Sequence, residues 1–148
     1  MRLWHYKLIP VLPKKMLIAQ WRECIAIKRQ WEKGTLKHRL VSYVMNYDKE
    51  IFLGYVQLVM DEMEKRKIRY HLELYGELAE FCLTGHNTCL FIPYPEHNDR
   101  YLLQCICNLE EKHDREIIDD YEWSEIEKYA NSFVKDLVEK RLEKMENE

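Results

Sequence analysis

The sequence predicts an all-α protein, a single compact helical domain with an extended N-terminal arm, and three observations carry that expectation. Breakers are scarce: 148 residues hold four glycines and four prolines, too few to punctuate a series of short strands. Apolar residues recur at helical spacing through several long stretches. Capping and turn residues fall between those stretches. Hydrophobic residues make up 47% of the chain and charged residues 33%, which is the composition of a chain with a core. The length suits one domain over residues 1–148, with 1–70 as its central part and 71–148 as a helical extension packed on it.

Each element has a local reason. Residues 1–13 read as an extended arm, because Pro10 and Pro13 each lack an amide donor and restrict their neighbours. From Lys14 to about Lys33, Leu17, Trp21, Cys24, Ile25, Lys28 and Trp31 fall on one helical stripe, and Gly34 supplies the stop. Residues 35–46 form a short helix or turn. Asp48 is an N-cap for a helix to about Lys67 that turns Ile51, Tyr55, Leu58, Val59 and Met63 inward. Residues 70–83 add another helix, and 83–99, with Gly85, Asn87, Pro93 and Pro95, are irregular. A helix from about Asn98 to Lys112 follows. The last starts near Trp123 and runs to the end, with Ile126, Phe133, Leu137 and Leu142 as its apolar side.

No apolar run approaches the roughly 18 to 20 residues needed to span a bilayer. The start mixes Arg2, His5 and Lys7 into apolar residues, unlike a secretory signal. The expectation is a cytoplasmic protein with no membrane partner. Five cysteines, an odd number, fit reduced thiols better than a disulfide framework. Cys82, His86 and Cys89, with Cys105 and Cys107, match no standard zinc spacing, so no metal and no organic cofactor is expected.

The net charge of −3 hides an asymmetry. Through Asn46 there are ten basic residues and two acids, a net +8, so the remainder carries −11. A basic third beside an acidic remainder suits one polyanion-facing surface, although charges on solvated helix faces also produce such splits. Within the first long helix Glu23 points away from the apolar stripe, with Ala19 and Ala26 one turn away. Two small neighbours leave room for another group to approach this acid. An exposed glutamate beside Arg22 is the plainer alternative.

Leu17-Ile18-Ala19-Gln20-Trp21-Arg22-Glu23 resembles the Leu-x-Ala-x-aromatic-Arg-Glu segment of pyrimidine-dimer DNA glycosylases of the phage endonuclease V type. The similarity continues through His38, through Tyr47-Asp48-Lys49 opening a helix, and through the Glu-Lys-Arg that ends at Arg66, covering roughly the first seventy residues. The remainder looks like the extension of a bacterial branch beginning Met-Arg-Leu-Trp-His. The resemblance implies a helical enzyme that flips a nucleotide from duplex DNA and attacks its C1′ with the N-terminal α-amine. The resulting imine is then β-eliminated, giving glycosylase and AP-lyase activity on pyrimidine dimers or a related lesion. An α-amino group ordinarily titrates at roughly 7.7 to 8.0, so a useful fraction is nucleophilic at cellular pH.

By this resemblance Glu23 is the catalytic carboxylate and Arg22 grips the substrate. The family exposes a threonine amine followed by arginine; here Arg2 blocks removal of the initiator, so Met1 supplies the amine and Arg2 is the phosphate partner. Ala26 departs from a further basic residue of the family. Lys14, Lys15, Lys28, Arg29, Lys33, Lys37 and Arg39 are candidates for phosphate contacts in lesion-bearing double-stranded DNA, with His38 beside them. Trp4, His5, Tyr6 and Trp21 are candidates to stack on an extruded base, Trp21 also fitting the core. Two other classes remain open: a non-catalytic helical nucleic-acid-binding protein, and a helical protein-interaction module using its basic third.

Overall fold

The computed structural model describes residues 1–83 and 91–148. Its described residues contain five α-helices and no strand: α1 (Lys14–Glu32), α2 (Lys49–Lys65), α3 (Leu72–Cys82), α4 (Asp99–Asp114) and α5 (Asp120–Glu146). Two 3₁₀ turns, Tyr6–Val11 and Ser42–Asn46, complete the helical content. The all-α expectation stands.

Helix boundaries follow local chemistry. Gly34, at φ +72°, takes the left-handed turn that ends α1. Asn98 caps α4 by accepting from the Tyr101 amide. The last helix starts at Asp120 rather than near Trp123, because Asp119 and Glu122 form a reciprocal capping box.

α2 is the central element, packed by α1, α3 and the Tyr6–Val11 turn. Tyr55, Val59 and Met63 are buried as expected, whereas Ile51 and Leu58 are half-buried. Phe52, Leu53, Val56 and Met60 are buried too, since neighbours surround most of the helix. One cluster of buried apolar residues runs from Leu3 to Ala130, drawing on the arm and on every helix.

The arm departs from expectation in two ways. It is extended only through His5, then turns into the 3₁₀ segment Tyr6–Val11. It is also part of the core: Leu3, Leu8, Ile9 and Leu12 are buried. Pro10 forbids an amide donor but not a short 3₁₀ turn, which the His5 carbonyl closes by accepting from the Leu8 amide at 2.9 Å. On α5, Ile126 and Ala130 are buried and Phe133 and Leu137 half-buried. Leu142, expected on the same apolar side, is exposed.

Candidate active site

A buried extended strand of chain has no ladder partner, so its backbone groups must be satisfied by side chains. Gln20, fully buried on α1, does this for the start of the chain. Its amide oxygen accepts from the Trp4 N–H at 2.8 Å and from the Tyr55 hydroxyl at 3.2 Å. Its amide nitrogen donates to the Arg2 carbonyl at 3.0 Å and to Glu23 Oε2 at 3.3 Å. All four hydrogen-bonding positions of the side chain are therefore used. The same amide group holds both Arg2 and the Glu23 carboxylate.

Other residues secure the arm further along. Tyr101 on α4 donates to the Leu3 carbonyl at 2.5 Å, and Tyr55 to the Trp4 carbonyl at 2.5 Å. The Tyr6 amide donates to His97 Nδ1 at 3.3 Å, which leaves the His97 Nε2 proton to bond Tyr43 Oη at 2.7 Å. Arg66 closes the arm by donating to the carbonyls of Leu12 (2.6 Å), Pro10 (2.9 Å) and Ile9 (3.3 Å), while Glu62 holds its Nε at 2.9 Å. Burial disfavours the charged imidazoles, pushing His97 down to about 3 and His5 down to about 4.

This scaffold brings Met1 and Glu23 to one open pocket of about 320 Å³, lined also by Arg2, Trp4, Met16, Ala19, Gln20 and Lys112. Met1, Glu23 and Lys112 thus line one cleft, with the small Ala19 beside them. Arg2 lies at its edge, its guanidinium carbon 5.0 Å from the centroid of the Trp4 ring. It also borders a second pocket, of about 540 Å³, beside α4.

The remaining candidates do not gather here. Arg22 and Arg29 line a pocket of about 380 Å³ with Trp21, Arg69, Tyr70 and His71; helical spacing puts this on the far side of α1 from Glu23. Lys28 is turned inward, 9% exposed, ion-paired with Glu32 at 2.6 Å and set over Phe81, so it is not a free phosphate contact. Lys15 donates to the Ile117 carbonyl, and Lys14 lines a groove with Arg66, Glu122 and Glu125. Lys33, Lys37, His38 and Arg39 are exposed at the end of α1 and in the loop after it. Trp4, His5 and Trp21 are buried and so unavailable as open stacking surfaces; Tyr6 is half-buried between His5, His97 and Phe91.

Sequence reasoning missed Gln20, Tyr55, His97, Tyr101 and Lys112. One of them left a signal: Gln20 falls three residues after Leu17 and four before Cys24, a polar side chain inside the apolar stripe. Just before the Asn98 cap of α4, Glu96 accepts from Tyr47 and His97 holds the arm. Of the cysteine grouping, Cys82 is buried, while His86 and Cys89 lie outside the described residues.

An all-helical protein whose arm brings Met1, Glu23 and Lys112 to one open cleft is the class this fold and site define. The particular family follows from comparison: the family model described as pyrimidine dimer DNA glycosylase matches residues 1–78, more than half of the chain, and the chain belongs to that family. No curated protein and no solved structure matches it.

Proposed function

We propose that this protein is a DNA-repair glycosylase with AP-lyase activity, acting on pyrimidine dimers or a related lesion in duplex DNA through an imine on the Met1 α-amine. The observation that carries the reading is the shared pocket of Met1 and Glu23, built by Gln20. The neutral amine attacks C1′ of the damaged nucleoside, and the glycosidic bond breaks with its electron pair leaving on the base nitrogen. Opening of the C1′–O4′ bond, with a proton passing to O4′, gives the imine. Loss of a C2′ proton then breaks the C3′–O bond, and water returns the amine. Glu23 relays these protons and stabilises the cationic sugar. Arg2 and Lys112 offer cations to the flanking phosphates at the same pocket.

Arg22 and Arg29, across α1, are the further DNA contacts, with Lys33, Lys37, His38 and Arg39 as peripheral ones. Borohydride treatment of untagged protein with duplex DNA carrying a cyclobutane dimer or an abasic site tests the mechanism. The expected result is a covalent adduct lost on N-terminal blocking and in Glu23→Gln. No adduct with either substrate, from protein whose free N-terminus is verified by mass spectrometry, refutes the mechanism.

A further inference from the structure

The pocket at Met1 has one wall from outside the family-matched residues. α4 turns Leu102, Cys105, Ile106 and Leu109 into the core, and its other side carries Arg100, Gln104, Asn108 and Lys112. These four recur at intervals of four residues, so they form one slowly winding line on the helix. Twelve residues at 1.5 Å each make that line about 18 Å long. It has a cation at each end, two amides between them and no acid within it.

None of the four side chains makes a hydrogen bond or ion pair among the described residues. On α4 itself Glu111 is paired with Arg115 at 2.9 Å, and Glu23 of α1 faces the same pocket as Lys112. Arg100, Gln104 and Asn108 line the pocket of about 540 Å³, and Lys112 lines the Met1–Glu23 pocket. Arg2 borders both, so the line leads from one pocket into the other. The wall is anchored at both ends: Tyr101 bonds the Leu3 carbonyl, and Lys15 of α1 bonds the carbonyl of Ile117 just beyond α4.

We propose that α4 is the strand-holding wall of the substrate cleft. Arg100, Gln104, Asn108 and Lys112 grip the sugar–phosphate backbone of the strand that carries the lesion, Lys112 at the reacting nucleotide and Arg100 farthest from it. This rests on the reading of the Met1–Glu23 pocket given above. A small anion cannot bridge cations about 18 Å apart, so the ligand is an extended polyanion. Phosphates on one strand advance about 3.4 Å each along the duplex axis, so the line spans about five nucleotides. Amide donors between the cations suit phosphate and sugar oxygens, which fix register without reading sequence.

Binding can be separated from chemistry with a duplex containing a tetrahydrofuran abasic analogue, which has no C1′ substituent to displace. Anisotropy titrations over a salt series would compare the wild type with Arg100→Ala, Arg100→Ala/Lys112→Ala and, as a control on α5, Lys140→Ala. The double variant is expected to bind at least tenfold more weakly, and the slope of log K against log salt to fall by about 1.8, or 0.9 per lost phosphate contact. Arg100→Ala, an exposed single change, is expected to lose half that slope, and Lys140→Ala none. Trapping on natural abasic DNA should show the loss in KM more than in kcat.

Unchanged slopes in the α4 variants, with circular dichroism as wild type, overturn the wall whether or not the wild type forms an adduct. An α4-dependent slope without an adduct keeps the wall and refutes the imine reading. Polyglutamate that binds with the same α4 dependence and displaces the duplex at equal concentration identifies an acidic polypeptide as the ligand and overturns the proposal.

Discussion

The N-terminal arm and the distal half of α5 are opposites. The arm holds only a short 3₁₀ turn, yet Leu3, Leu8 and Leu12 are buried and side chains of α1, α2, α4 and the 91–98 loop hold its backbone. Distal α5 is regular helix to Glu146, yet Val134, Val138, Leu142 and Met145 are exposed. A helix satisfies its own amides and carbonyls and persists without cover, supported by pairs such as Lys128–Glu125 nearer its start. The arm satisfies few of its own, chiefly Leu8 to His5 and Leu12 to Leu8, and holds its place only where the fold supplies partners. The proposed site lies on the segment that depends most on its surroundings.

The strongest way to break the contrast is Gln20→Leu. It strips partners from the buried Trp4 amide and the Arg2 carbonyl, and it frees Glu23. We expect a loss of about 3 kcal/mol, seen as a drop in Tm of roughly 6 to 12 °C for a chain of this size. The borohydride adduct should fall more steeply than the folded fraction measured at the same temperature. Parallel losses would reduce Gln20 to a packing residue.

Acid should loosen the arm next. His5 and His97 have folded pKa values lowered to about 4 and about 3, against 6.5 unfolded. The unfolded chain therefore takes up protons first, and stability is fully present above pH 6.5 and is lost as pH falls from there toward 4 and then 3. Each histidine contributes about 1.4 kcal/mol per pH unit inside its window. Urea unfolding at pH 7 and at pH 5 reads the difference, and His97→Gln should flatten it while lowering stability at pH 7. An equal pH slope in the variant would remove His97 from the account.

The smallest effect is expected at the other pole. Val138→Lys and Leu142→Lys on exposed α5 should shift stability by less than about 0.5 kcal/mol. A larger change in Tm, or one that depends on protein concentration, would show that this face is covered in solution.

Much of the scaffold was legible along the chain. α1 begins at Lys14 and ends before Gly34 because a proline pair and a left-handed glycine bracket an apolar stripe. α4 starts after Asn98 for an equally local reason. The start of α5 is equally local, but it lies a few residues before Trp123 because the Asp119–Glu122 box sets it. Glu23 could be singled out by the small residues around it and by the segment Trp21-Arg22-Glu23. Its coupling to the arm through Gln20 could not, since that contact joins residues sixteen to eighteen apart in the chain by side chain to backbone bonds.

What the sequence by itself determined is the helical class, the bounds of most helices and the family segment at residues 17–23, because periodicity, caps and breakers act over one or two turns. Tertiary structure alone decided that the arm is core and that α4 joins Met1 and Glu23 with Lys112. The physical reason is the range of the forces involved. Helix formation is settled among neighbours a few residues apart, whereas a buried extended chain and a cleft are settled by whichever distant side chains arrive with the right donors, acceptors and shape.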